Sequence, residues 1–183
     1  MSFALTPGML LDLDPTDLGA RFRTIFQAEF RYVWTSLGRL GIRERDREDL
    51  ASEVFVRVHQ RIEAFDPARA VRPWLFAFAV RVASEHRRRA QTRNEAIGAT
   101  DDVGSSAIAA HGIDSDDREL VLLALDGLDF DKRAVFVMHF LDGFTVPEIA
   151  RTLDIPLGTA YSRVRAAREI FTAAVHRIRK AER

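Results

Sequence analysis

Cysteine is absent from the 183-residue chain. This excludes a disulfide scaffold, a thiolate metal site and a cysteine nucleophile, and it suits a reducing cytoplasm, the expected location. Net charge is absent too, because 27 basic and 27 acidic residues cancel. Long apolar runs are missing: the longest, Trp74 to Val80, has seven residues, against the roughly 18 of a membrane span. No membrane insertion is expected. Near the N-terminus Asp12, Asp14 and Asp17 interrupt any candidate secretory signal. The five histidines (His59, His86, His111, His139 and His176) show no metal-ligand spacing, and no glycine loop for phosphate is present. The chain is therefore expected to carry no metal, cofactor or catalytic residue, and not to be an enzyme.

What is present is a globular balance of 47% hydrophobic and 30% charged residues, enough for one domain or two small ones. The zero net charge hides an uneven distribution. Residues 72–93 hold six Arg against Glu85, a balance of +5, and residues 158–183 hold six Arg and Lys180 against two Glu, again +5. Between them, residues 101–131 hold nine acids and one Arg, a balance of −8. Two basic blocks around an acidic one predict two surfaces for a polyanion. Of the 27 basic residues all but Lys132 and Lys180 are Arg, so the position of an Arg is more informative than its abundance.

Helical periodicity runs through the chain. Phe26, Phe30, Val33, Leu37 and Leu40 recur at helical spacing, with Gly41 as a C-terminal cap. Phe55, Val58, Ile62 and Phe65 mark a second helix entered near Asp46. Leu75, Phe78, Ala79 and Val82 mark a third, with Pro73 in its first turn. No segment alternates long enough for a strand. Residues 94–115 lack aromatics, Lys and Arg and are rich in Ala, Gly, Ser and Asp. They read as a flexible linker, with a helical turn around Ala107–Ala110. Helical spacing returns with Leu120, Leu123, Ala124 and Leu128, then the apolar segment Ala134–Met138. The expected fold class is all-α, with two small helical domains joined by a flexible linker. The expected divisions are a lead at 1–19, a first domain at 20–93, the linker at 94–115 and a second domain at 116–183.

The most specific stretch is FTVPEIARTLDIPLGTAYSRVRAARE, Phe144–Glu169. Thr145 and Glu148 have capping-box spacing, Ala150 is small where helices cross, and Asp154 tolerates a left-handed turn. Pro156 and Gly158 then open a second helix after a very short connection, which is helix-turn-helix spacing. At about 100° per residue, Ala160, Val164 and Phe171 share a packed side. Tyr161, Ser162, Arg165 and Ala166 fall opposite, and Arg163 lies on a flank. A helical hairpin with solvated arginines is the plainer alternative, but cap, turn, wheel and charge agree on DNA.

Two further clusters are open to two readings. Asp46, Asp49 and Glu53 share one helix face; spacing alone favours a solvated acidic face over a docking surface for a basic partner. Trp74, Phe76 and Phe78 stand among Arg72, Arg81 and Arg87–Arg89. Such interleaving suits unpaired bases and phosphates, but equally a core helix with an Arg-rich end.

Taken in order, EDLASEVF, RPWLFAFAV and EIARTLDIPLGTAYSRVRAAR resemble motifs of bacterial sigma factors of the extracytoplasmic-function (ECF) type. The resemblance covers about residues 20–93 and 116–180. It implies that the chain directs core RNA polymerase to promoters and helps melt the −10 region. It implies contact of Asp46, Asp49, Ser52 and Glu53 with the polymerase clamp coiled coil, and of the second domain with the flap. The Asp66–Val71 loop would hold a flipped −10 base, with Asp66, Ala68, Arg69, Val71, Arg72, Trp74, Arg81, Arg87 and Arg88 on that strand. Thr159, Tyr161, Ser162, Arg163, Arg165, Ala166 and Arg168 would meet the −35 element. An anti-sigma factor is a further implied partner. The chain departs from the family pattern at Ser52 (usually Gln), Arg81 (usually Asn), Ala166 (commonly Arg) and Tyr161 (commonly Lys or Arg). The alternative is a stand-alone helix-turn-helix regulator with an N-terminal dimerisation bundle.

Overall fold

The computed structural model describes residues 17–97 and 115–181. Among the described residues the chain forms helices and no strand. The first bundle holds α1 (Leu18–Arg39), α2 (Glu44–Gln60) and α3 (Val71–Ile97); the second holds α4 (Ser115–Asp126), α5 (Phe130–Phe136), α6 (Val146–Leu153) and α7 (Leu157–Ala181).

Local chemistry sets the ends of α1. The Asp17 carboxylate accepts the Ala20 N–H at 2.7 Å, satisfying an otherwise orphaned first-turn donor. At the other end Gly41 takes φ +90°. The Ile42 N–H then reaches back to the Leu37 carbonyl at 3.0 Å and the Gly41 N–H to Gly38 at 2.9 Å, as a left-handed glycine cap does. Arg47 is fully buried between α1 and α2. Its Nε donates to the Ile42 carbonyl at 2.9 Å and its guanidinium lies over the Trp34 ring. A Cβ on Gly38 would come within 2.8 Å of the Arg47 Cζ, so only glycine lets the guanidinium pass.

The expected apolar positions are buried in and just after α2 and in α3, although the second helix stops at Gln60, so that Ile62 lies in the 3-10 turn Ile62–Ala64 and Phe65 beyond it. Phe55, Val58, Ile62, Phe65, Leu75, Phe78, Ala79 and Val82 are all buried. In α1 the expected positions Val33, Leu37 and Leu40 are buried, but toward the N-terminus the inward face is displaced by one position. Ile25, Glu29, Val33 and Leu37 point inward, whereas Phe26 is exposed and Phe30 half-buried. The displaced rings form an aromatic edge, with Phe26 and Phe30 both within 6 Å of Phe55. The inward position goes to Glu29 because Arg72 of α3 pairs with it at 2.9 Å.

Three boundaries differ from the sequence expectation. α1 begins at Leu18, inside the lead assigned to 1–19, and α3 continues to Ile97, past the predicted linker start at 94. Glu95 and Ala96 are good helix formers, so nothing stops the helix at Arg93. Ser115, assigned to the linker, opens α4. The rest of the predicted linker, with its turn at Ala107–Ala110, lies outside the described residues, as does the lead up to residue 16.

The two bundles are not separated. α6 packs on α3, and buried residues of both, from Ile25 to Ala167, form one continuous apolar core. A tether by composition does not predict this, because the contact joins elements far apart along the chain.

Candidate nucleic-acid interface

The helix-turn-helix is built as its sequence predicts. Thr145 stands before α6, and the Glu148 carboxylate accepts from both its N–H (2.8 Å) and its hydroxyl (2.6 Å). These bonds hold the Glu148 carboxyl below its usual range. Asp154 takes the left-handed conformation (φ 54°, ψ 50°), and the Ile155 N–H closes onto the Ala150 carbonyl at 3.0 Å. The Ala160 N–H then bonds the Pro156 carbonyl, the first turn of α7. Ile149, Ala150, Ala160, Val164 and Ala167 are buried. Phe171, half-buried, stacks on Phe136 at 4.3 Å. The packed back therefore leaves a definite front.

That front carries Tyr161, Ser162, Arg165 and Arg168, all exposed. Arg165 Nε lies 3.0 Å from Glu169 in a loose surface pair, which is readily exchanged for another acceptor. Ser162 donates its hydroxyl to the Thr159 carbonyl at 2.9 Å, leaving its lone pairs available. Thr159 and Ala166 are half-buried at the margins. Arg163 is tied at 2.5 Å to Asp131 of α5, within its own bundle. Leu157, also exposed on the first turn, was not among the expected contacts. Its position four residues before Tyr161, on the same helix side, is the signal for it.

The basic surface of the first bundle is sorted less evenly. The Asp66–Val71 loop is a preformed turn: the Ala68 N–H donates to Asp66 Oδ1 at 3.0 Å and the Arg69 N–H to the Asp66 carbonyl at 3.0 Å. Asp66, Ala68 and Arg69 are exposed at its tip. Val71 departs from the expectation of an exposed loop residue, because it is 3% exposed and packs in the core at the start of α3. Phe76 and Phe78 are core as well. Trp74 is half-buried, 4.7 Å from the Phe65 ring and edge-on to Phe78 at 5.1 Å. Arg72 lies over the Tyr32 ring at 4.8 Å while it pairs with Glu29. Arg81, Arg87 and Arg88 are exposed.

On α2, Asp49 and Ser52 are exposed, while Asp46 and Glu53 are half-buried. Glu53 is held by Arg57 at 2.5 Å. Arg57 also reaches Glu85 of α3 with two bonds, at 2.8 and 2.7 Å. Bonding to Glu85 raises the Arg57 guanidinium, and bonding to Arg57 lowers the Glu85 carboxyl. Of the four expected polymerase contacts, Asp49 is the acid left most open. No group of His, Asp and Glu able to hold a metal is found among the described residues.

An all-α chain with a helix-turn-helix at one end and a second basic surface on a separate bundle defines a class of DNA-binding protein. Comparisons with known proteins narrow it. Residues 25–93 match sigma-70 region 2 and residues 118–170 match sigma-70 region 4. The chain is 31% identical over 151 residues to the ECF RNA polymerase sigma factor SigL of Mycobacterium tuberculosis, covering 81% of this chain and 85% of that one. It is 27% identical over 135 residues to the ECF RNA polymerase sigma-E factor of Escherichia coli, covering 68% and 71%. Among solved structures, CnrH in complex with the cytosolic domain of CnrY superposes with a TM-score of 0.62 at 22% identity, over 93% of this chain and 94% of that one. RpoE of Bartonella quintana, in complex with the anti-sigma factor NepR, gives 0.67 at 20% identity over 85% and 96%. The chain belongs to the ECF family of RNA polymerase sigma factors. This selects transcription initiation over the stand-alone regulator. No helix among the described residues is long and apolar enough to cross a membrane.

Proposed function

We propose that the chain joins core RNA polymerase in the cytoplasm through Asp46, Asp49, Ser52 and Glu53 on the clamp coiled coil and through the second bundle on the flap. It then directs the enzyme to promoters as a specificity factor, performing no covalent chemistry of its own. Arg165, Ser162, Tyr161, Arg168 and the marginal Thr159 and Ala166 meet the −35 element. Arg163, held by Asp131, serves the phosphate backbone. On the first bundle the Asp66–Arg69 turn takes up an unpaired −10 base, with Trp74, Arg81, Arg87 and Arg88 beside the strand. An anti-sigma protein is the expected inhibitory partner. The observation that carries this reading is the α7 front, polar and basic over a packed apolar back.

Unstacking a base costs a few kcal/mol, recovered only if the extruded base finds a pocket or a stacking partner. The loop is therefore expected to matter after duplex binding rather than before it. With reconstituted holoenzyme, scrambling residues 66–70 is expected to abolish permanganate reactivity of −10 thymines while duplex binding persists. Undiminished reactivity contradicts the assignment of the loop.

Asp49→Arg is expected to abolish assembly with core while shifting unfolding by less than about 0.5 kcal/mol, since exposed substitutions rarely move stability further. Glu53→Arg is expected to lose assembly and also some stability, because it sets a cation against Arg57. Co-purification with core and a urea midpoint separate the two effects. Normal assembly of both variants rules out this docking face.

A further inference from the structure

Arg72, expected on the −10 strand, turns its guanidinium toward α1. Its Nε donates to Glu29 Oε2 at 2.9 Å, and the Glu29 side chain has no exposed surface. Three residues further along α1, the Tyr32 ring lies under the same guanidinium, its centroid 4.8 Å from Cζ. Tyr32 is itself fixed, because its hydroxyl donates to Asp142 at 2.8 Å. α1 therefore grips Arg72 with both a charge and an aromatic face.

Stability alone does not call for a carboxylate here. Glu29 stands at an inward position among Ile25, Val33 and Leu37. Taking a carboxylate out of water is costly, and an apolar pair of like volume is often no less stable than a buried ion pair. What the ion pair adds is direction. A hydrogen-bonded charge pair meets in one geometry, whereas apolar side chains can slide on one another.

The place of Arg72 in the chain shows what is being directed. It is the second residue of α3, directly after the Asp66–Val71 loop. The bonds inside that loop, from the Ala68 N–H to Asp66 Oδ1 and from the Arg69 N–H to the Asp66 carbonyl, are local. They set the shape of the turn but not the way it points from the bundle. That is set by its two ends. At one, Phe65 is buried against Trp74, with 4.7 Å between the rings. At the other, Val71 is buried and Arg72 is held by α1. A turn that captures a base must point to where the base swings out, and a misplacement of about 1 Å in a positioned group can cost on the order of 100-fold.

We propose that Glu29, with Tyr32, anchors Arg72 so that the Asp66–Arg69 turn is held in the direction that captures the unpaired −10 base. Glu29 and Arg72 are then positioning residues, not strand contacts. The anchor follows from the geometry of α1 and α3; its purpose rests on the assignment of the turn to the −10 base under the proposed function.

Because the chain has no cysteine, Ala68→Cys and Ser84→Cys, both at exposed positions, take one spin label on the turn and one on α3, about 20 Å beyond its start. In the full-length protein the distribution of label distances is expected to be narrow in the parent and wider when Glu29→Gln is added. In reconstituted holoenzyme, Glu29→Gln is expected to lower permanganate reactivity of −10 thymines about tenfold or more, with duplex promoter binding and its salt slope unchanged. Glu29→Met combined with Arg72→Met replaces the pair by apolar side chains. It is expected to keep the parent urea midpoint and still lose melting. An unchanged distance distribution in Glu29→Gln overturns the anchor, and parental melting in both variants overturns its purpose. A salt slope lowered by about one unit in the double variant makes Arg72 a phosphate contact and overturns the positioning role. Melting lost only in step with the urea midpoint makes the pair purely structural and overturns it as well. If scrambling residues 66–70 also leaves melting intact, the assignment of the loop fails, and the label distances still decide the anchor.

Discussion

Phe76→Ala is expected to destabilise the first bundle by about 3–5 kcal/mol in urea unfolding, the ordinary cost of emptying a buried phenylalanine site. Phe76 has no exposed surface and sits in the shared core. Assembly, promoter binding and melting are all expected to fall together, in proportion to the unfolded fraction. Trp74→Ala is the contrast. Trp74 is half-buried against Phe65 and Phe78, so its loss is expected to reduce melting beyond what its change in stability explains. If Phe76→Ala unfolds at the parent midpoint, the packing of α3 described above is wrong. Aromatics interleaved with arginine suggested stacking for all three rings. Only burial separates the half-buried ring from the two inside.

Arg165→Ala is expected to relax base preference at one or two −35 positions. A bidentate Arg on guanine is worth about 1–3 kcal/mol of discrimination, roughly 5- to 150-fold in relative affinity. Arg163→Ala is expected to leave the preferred bases unchanged and to lower the salt slope of binding by about one unit, as loss of a phosphate contact does. The geometry supports the division: Arg165 is exposed on the front, whereas Arg163 is anchored to Asp131 at the flank. Competition among single-base −35 variants with holoenzyme at two salt concentrations measures both effects. A change of preferred base in Arg163→Ala, with none in Arg165→Ala, reverses the assumed orientation of α7.

The helix-turn-helix was legible in the sequence because its determinants are local. A capping box spanning four residues, a left-handed Asp154 and a period of 3.6 are set by neighbours along the chain, and the structure carries each of them. The same locality explains the core faces of α2 and α3. Family resemblance added the pairing of two DNA surfaces, which no spacing within one helix reveals.

Elsewhere the tertiary structure decided. Helical periodicity places a stripe of apolar residues on a wheel to within about one position. It does not say that Arg72, across the bundle, draws Glu29 inward and turns Phe26 and Phe30 to the rim. Val71 stands in a loop motif, yet packing at the start of α3 buries it. Arg163, Arg57 and Arg133 look alike in sequence as basic residues on helices. Their partners, Asp131, Glu85 and the Arg39 carbonyl, lie 32, 28 and 94 positions away and give each a different task. By itself the sequence determined the helical positions to within a few residues, the Gly41 and Thr145–Glu148 caps, the helix-turn-helix and the family, all of which depend on near neighbours or on motif order. The packing of one bundle on the other, and the choice of which charges stay open to solvent and which hold the chain together, depends on pairs far apart along the chain. Burial and charge pairing between such residues exist only once the chain has folded.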